Sequence, residues 1–346
     1  MTPSNRRFPA EWEHQEGILL CFPYNGNDWP GKYEAIQWAF VEFIKKVTHF
    51  EKVFLIVANQ KLQDKVANML ERAHVDLLQI EFILLKTNRS WMRDSGPIVV
   101  YNNGKREAIN FNFNGWAKYS NYKLDKFVPA KVAEVLNIPH TQALFNGKPI
   151  ILEGGAIDVN GKGTLLTSEE CLLHSSIQVR NQGMTKADYE TVFKEYLGVT
   201  NVIWLKDGII GDDTHGHIDD LCRFVNENTI VTVIETDPEN ENFKALNENL
   251  EILKNSKLEN GQSPNIVTLP MPKKLIFEGI PLPASYANFL ILNGCVLVPT
   301  FNDPNDRIAL NILVECFPDR EIIGISAIDL IWGFGTLHCL SQQIPS

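Results

Sequence analysis

The chain of 346 residues is 44% hydrophobic and 21% charged, a balance that fits a folded domain with a sizeable core and excludes a disordered or collagen-like polymer. Its 42 acidic side chains against 32 basic ones leave a formal charge of -10, which disfavours a nucleic-acid or anionic-membrane surface and suits a cationic partner. The opening MTPSNRRFPAEWEHQ has no apolar core of a secretion signal, and no apolar run reaches membrane-spanning length, so a cytoplasmic protein is expected.

In chain order the first predicted elements are a strand GILLCFPY from Gly17, an amphipathic helix Tyr33 to Val47, and a strand KVFLIVAN from Lys52. A second helix, Leu62 to Ala73, leads to VDLLQIEFILLK. RDSGPIVVYNNGKREAINFNF from Arg93 reads as a hairpin about an Asn-Gly turn. It is followed by a helix Leu124 to Leu136 and a strand KPIILEGG. The order then repeats. Hairpins start at Glu153, His217 and Ser285; helices are expected over Lys186 to Leu197, Asn242 to Leu253 and Asp306 to Phe317; NVIWLKDG, NIVTLPMP and EIIGISAI close the units. LHCLSQQ from Leu337 can lie beside the first strand, so the two chain ends complete a fifth hairpin.

Two hairpin strands, a helix and a strand, repeated five times without a linker, describe one domain over residues 1–346. Units set around an axis would bring their strand ends to one central site. Asp94, His217 and Cys339 lie 123 and 122 residues apart, about two units each, which fits that geometry. A doubly wound α/β sheet with accidental spacings is the alternative.

Three local signals compete for the chemistry. DDTHGHIDD, Asp212 to Asp220, holds an HxHxD run (His215, His217, Asp219) that a metallohydrolase could use. Only one histidine, His338, follows it, which weakens that reading. WGFGTLHC sets Cys339 behind Gly333, Gly335 and His338, a presentation suited to a nucleophilic thiolate, although a cysteine beside a histidine also serves as packing. In WMRDSGP, Asp94 precedes a Gly-Pro turn; alone it is a cap, but with Asp219 it makes two carboxylates able to grip a planar guanidinium. The other cysteines, Cys21, Cys171, Cys222, Cys295 and Cys316, read as reduced thiols.

WMRDSGP, LEGGAIDVNGKGTLLTSE, GHIDDLCRF, ASYANFLILNG with PTFNDPND, and LHCLSQQIP resemble, in order and over nearly the whole chain, the agmatine deiminase and bacterial-type peptidylarginine deiminase family. The resemblance implies an α/β fold, a five-bladed pseudo-symmetric α/β propeller, and a mechanism without metal or cofactor. It assigns the nucleophile to Cys339, the acid-base to His217, and guanidinium binding to Asp94 and Asp219. It implies agmatine as substrate, converted to N-carbamoylputrescine and ammonia through an amidino-cysteine. Asp213, with Asp212 sharing the task, is expected at the substrate's distal ammonium, Trp91 as a wall of the site, and Glu153 as a further substrate-binding position.

A homodimer is the oligomeric state such relatives suggest. GFGTLHC departs from the family's more glycine-rich turn by carrying Phe334, and His215 has no assigned role. Peptidyl- or free-arginine deimination, a metal-dependent hydrolase and a catalytically silent ligand-binding propeller are the competing functions.

Overall fold

The computed structural model describes residues 5–346. Five small mixed sheets carry the mixed α/β fold, and each contains an antiparallel pair followed by a parallel strand. Ile98–Asn102 and Lys105–Asn110 pair antiparallel, and Lys105–Asn110 pairs parallel with His140–Gln142. The same order recurs in Asp158–Val159, Thr164–Ser168 and Asn201–Leu205, then in Cys222–Asn226, Thr229–Ile234 and Asn265–Pro270. Leu290–Ile291, Cys295–Thr300 and Glu321–Ser326 form the fourth sheet. In the fifth, Ser341–Pro345 runs antiparallel to Gln15–Cys21, which continues in parallel to Lys52–Val57 and Ile80–Leu84. Strands from the two chain ends therefore share one sheet. Among the described residues no single parallel sheet gathers these strands, so the doubly wound alternative is set aside.

The parallel connections run through the amphipathic segments. Helices Tyr33–Val47, Gln60–Arg72, Lys186–Leu197, Phe243–Asn255 and Pro304–Cys316 bridge successive strands. Thr185 and Asp303 start two of them with reciprocal capping boxes, which satisfy amide donors that the first turn leaves open. The expected helix over 124–136 divides into a 3-10 turn, Asp125–Phe127, and a helix Val128–Val135 that begins beside Pro129.

KPIILEGG does not supply the parallel strand of its unit; His140–Gln142 does. Asn146 and Gly147 have φ of 51° and 74°, and this turn folds Lys148–Pro149 back on Leu144–Phe145, leaving only an Asn112–Ile151 bridge beyond it. A second hairpin the pattern did not indicate pairs Leu275–Phe277 with Ile280–Leu282.

GILLC is apolar without alternation because both faces of Gln15–Cys21 are covered. Ile18, Leu20 and Phe22 pack in the cluster containing Phe40 and Ile44, while Leu19 and Cys21 pack with Phe54, Met92 and Ile344. Beneath the apolar layers lies a buried ionic junction. Arg223, fully buried, donates to Asp158 at 2.9 Å, to Glu11 and to the Phe289 carbonyl at 3.0 Å. Glu11 also accepts from the Ile291 amide at 2.7 Å, so the junction ties the N-terminal segment to the second, third and fourth sheets.

Replacing Arg223 by Met leaves Glu11 and Asp158 buried without their main counter-charge. The expected result is a loss of about 3–5 kcal/mol in denaturant unfolding. A loss below about 1 kcal/mol would show that the junction does not hold the sheets together.

Candidate active site

A cavity of ≈ 320 Å³ opens where turns from several units meet. Trp91, Asp94, Trp116, Tyr119, Asp213, Phe334 and Cys339 are among its lining. Asp94 lies on the short helix Met92–Ser95, whose first turn closes on the Trp91 carbonyl, an acceptor for the Ser95 amide at 3.2 Å and the Ser95 hydroxyl at 3.0 Å. Trp116 Nε1 donates to Asp94 Oδ2 at 2.8 Å and the Gly155 amide to Oδ1 at 3.1 Å, so the carboxylate is fixed from two sides.

His217 reaches the same place from another unit. Asp212 draws the preceding loop together by accepting from the amides of Thr214 (2.8 Å), Gly216 (2.7 Å) and His217 (3.0 Å). Gly216 has φ of 88°, and a Cβ there would come within 2.9 Å of Glu170 and Ser168. The His217 ring, 1% exposed, has Nδ1 at 3.9 Å from both Asp94 Oδ1 and Asp219 Oδ1, and Nε2 at 3.9 Å from Glu153 Oε2. Gly155 is small for this ring: a Cβ there would lie 2.5 Å from His217 Nδ1.

Cys339 sits on the turn before Ser341–Pro345. Its Sγ accepts from Asn288 Nδ2 at 3.0 Å and lies 3.5 Å from Asp219 Oδ2. Trp91, which stacks on Trp29 with ring centroids 5.3 Å apart, presses against the glycine turn: a Cβ on Gly335 would approach it to 2.6 Å. Asp94, His217, Asp219 and Cys339, remote in sequence, thus form a chain of contacts of 3.9 Å or less.

The chain that brings a thiol, an imidazole and two carboxylates together beside one cavity matches a known sequence family. The model for Porphyromonas-type peptidyl-arginine deiminase covers residues 7–345. The chain belongs to that family. The agmatine deiminase of Pseudomonas syringae pv. tomato is 32% identical over 362 aligned residues, covering 98% of this chain and 95% of that one. A cysteine-to-serine variant of C. jejuni agmatine deiminase, solved with substrate bound, superimposes with a TM-score of 0.87 at 35% identity, covering 99% and 96% of the two chains. The Enterococcus faecalis agmatine deiminase gives 0.88 at 29% identity with the same coverage.

In this family member burial and the neighbouring charges together set the titration of the site. Burial, followed by Asp219, Asp220 and Asp94, pushes the Cys339 thiol well above its ordinary range, and the Asn288 hydrogen bond offsets only part of that. Burial raises Asp94 to about 6 against the pull of His217, and Asp219 and Glu153 add to the rise. For His217 burial works downward, but Asp94, Cys171 and Asp219 outweigh it and hold the imidazolium well above its usual range. Asp219 stays below the carboxylate norm despite burial because His338 bonds to it, and its neighbour Asp220 is raised well above that norm by burial and by the charges of Asp219 and Asp212.

Of three expected substrate positions, Asp212 and Glu153 stand outside the cavity lining and Asp213 lies in it with partners of its own. Both oxygens of Asp212 are engaged by its own loop, with Oδ1 accepting from Thr214 and Oδ2 from the Gly216 and His217 amides, and it is not part of the cavity lining. Glu153, fully buried, pairs with Arg180 at 3.0 Å and stands behind His217, outside the lining. Asp213 does line the cavity, but it already accepts from Lys118 Nζ at 2.6 Å and Tyr119 Oη at 2.7 Å.

The HxHxD run does not converge. His215, at φ 66°, turns to the Glu170 carbonyl at 3.2 Å and stacks edge-on with His174 at 4.9 Å. Among the described residues, the two groups of three close donor atoms are Glu153, Cys171, His217 and Asp219, Asp220, Cys339; neither includes His215. Sequence reading missed Trp116, Gly155 and Asn288. Asn288 could have been flagged, because an amide inside the apolar run ANFLIL needs buried partners.

If the neighbouring anion keeps the thiol protonated, Asp219→Asn will speed alkylation of Cys339 by iodoacetamide at pH 8 by roughly threefold or more, followed by peptide mass spectrometry. An unchanged or slower rate would remove Asp219 from control of the sulfur.

Proposed function

We propose that this chain is an agmatine deiminase, hydrolysing agmatine to N-carbamoylputrescine and ammonia, with Cys339 as nucleophile, His217 as acid and base, and Asp94 and Asp219 as guanidinium ligands. The observation that carries the reading is that Cys339 and Asp94 line one cavity while Asp219 stands 3.5 Å from the sulfur and His217 between the two acids. The names of the relatives support the same assignment.

The chemistry follows from the charges. A guanidinium entering between Asp94 and Asp219 would give its N–H groups to carboxylate oxygens and stay cationic, so its central carbon stays electrophilic. The same positive charge offsets the anions that hold the thiol protonated, and Cys339 gives its proton to solvent through the cavity as the substrate arrives. Thiolate addition forms a tetrahedral adduct, and the His217 imidazolium gives a proton to the departing nitrogen, which leaves as ammonia. The neutral imidazole then takes a proton from water as the oxygen adds to the amidino-cysteine carbon. Cleavage of the C–S bond, with the hydroxyl proton of the adduct passing to the departing sulfur, restores the Cys339 thiol and releases the ureido product.

The remaining cavity suits a short aliphatic cation. Trp91 and Trp116 offer apolar faces for the methylenes and Asp213 an anion for the distal ammonium. The Lys118 contact with Asp213 favours one second reading, deimination of arginine, free or peptidyl, because a cation there accommodates a carboxylate. The proposal includes the five sheets as blades of one pseudo-symmetric propeller forming a single catalytic domain. It also includes a cytoplasmic location, a possible homodimer and no cofactor. Among the described residues no helix is long and apolar enough to cross a membrane.

Incubation with agmatine, arginine and an arginyl peptide, with colorimetry for ureido product, tests the substrate. Agmatine is expected to dominate, and a preference for arginine or the peptide would transfer the assignment to the second reading. Cys339→Ser is expected to lower kcat by about 1,000-fold or more, and full turnover would remove the thiol from the mechanism.

The acid limb of kcat/KM should fall near pH 6, where Asp94 gains its proton and loses its grip on the cation. Removing the Trp116 hydrogen bond, which favours the ionised form, raises the Asp94 pKa. Trp116→Phe is therefore expected to move that limb upward by roughly half to one pH unit, and a downward move would contradict the assignment.

A further inference from the structure

His338 is adjacent to Cys339 in sequence, yet its ring serves neither the sulfur nor the cavity. It is 1% exposed and bridges two buried carboxylates, with Nδ1 at 2.7 Å from Asp219 Oδ2 and Nε2 at 2.9 Å from Glu11 Oε2. Ionised carboxylates only accept hydrogen bonds, so both ring nitrogens donate when the bridge is complete. Asp219 Oδ2 is then committed to His338, and Oδ1 has no protein hydrogen-bond partner among the described residues.

We propose that His338, held by Glu11, is the positioning residue that orients Asp219 and presents its Oδ1 to the guanidinium. The inference rests on the proposed role of Asp219 in gripping substrate and adds the device that makes the grip work.

The surroundings explain why the ring needs a second anchor. Asp219 shares its site with Asp220, Asp94, His217 and the Cys339 thiol, its Oδ2 3.5 Å from the sulfur, and without the bridge no side-chain hydrogen bond other than that of the sulfur would set the angle of its carboxylate. Glu11 is itself fixed by Arg223 and the Ile291 amide, with Arg93 at 4.0 Å. The backbone of His338 is pinned as well: its amide donates to Asn288 Oδ1 at 3.2 Å and its carbonyl accepts from Arg93 Nε at 3.3 Å. The ring can therefore hold Asp219 at a set angle, and rotation would break two charge-assisted hydrogen bonds.

Two substitutions separate positioning from packing. In His338→Asn the amide nitrogen falls near the place of imidazole Nδ1 and can still donate to Asp219. In His338→Gln it falls near the place of Nε2 and reaches Glu11 alone. Each variant keeps one half of the bridge, and melting temperatures measured for both check that their folds are comparably intact.

With agmatine as substrate, His338→Gln is expected to raise KM roughly tenfold or more, with a smaller change in kcat, and to move the acid limb of kcat/KM upward. His338→Asn is expected to recover most of that loss. Equal KM values and equal pH profiles for the two variants, or a worse result for Asn, would overturn the inference. A different result bears on the underlying reading: wild-type protein that does not turn over agmatine, or Asp219→Asn with wild-type KM, would remove Asp219 as a ligand, whatever the His338 variants do.

Discussion

The fully buried Arg223 guanidinium is the interaction on which the rest of the structure leans. A carboxylate taken out of water cannot stay charged alone, and Glu11 and Asp158 both depend on this one cation. The planar fork of N–H groups meets acceptors in different directions at once, a task a lysine ammonium would perform with less directional control. Glu11, so fixed, becomes a rigid acceptor for His338, and His338 for Asp219. A contact deep between sheets is in this way transmitted to the carboxylate beside the Cys339 sulfur in two hydrogen bonds.

Burial and the neighbouring carboxylates keep the Cys339 thiol protonated, which is unusual for the resting state of the nucleophile proposed here. A resting thiol is protected from oxidants and adventitious electrophiles. What such a site lacks in readiness it gains in selectivity, since a cation of the right shape supplies the missing charge itself. A neutral urea, which is the product's own functional group, offers no such charge, so release is favoured by the same arrangement that favours capture.

Much of this was legible from residues alone. The hairpin-helix-strand repeat and the pairing of the chain ends follow from turn chemistry and apolar periodicity, which are local. Asp94, His217, Asp219 and Cys339 could be picked out as the residues to watch, and the structure brings them together. Asp212, Glu153 and Lys118 were illegible for one reason: whether a carboxylate faces a cavity or is engaged by its own loop depends on partners 2 to 95 residues away. His338 was misread because adjacency along the chain suggested a partnership with Cys339. Both side chains meet Asp219 Oδ2, but the imidazole bonds that oxygen and Glu11, not the sulfur. The second glycine of LEGG carried no assignment in the sequence, and its small size serves the His217 ring packed against it.

The clasp between Gln15–Cys21 and Ser341–Pro345 has a temporal consequence. Leu20 and Ser341 are paired across 321 residues, so closing this pair restricts nearly the whole chain, whereas each hairpin within a unit closes over a short loop. Local units therefore have every reason to form first and the clasp last. Cys339 stands two positions before the closing strand, and the sulfur takes its place beside Asp219 only when the clasp engages. A partly folded molecule would hold its acids and imidazole without the proposed nucleophile, which makes the assembled cluster a late-arriving signature of the completed fold.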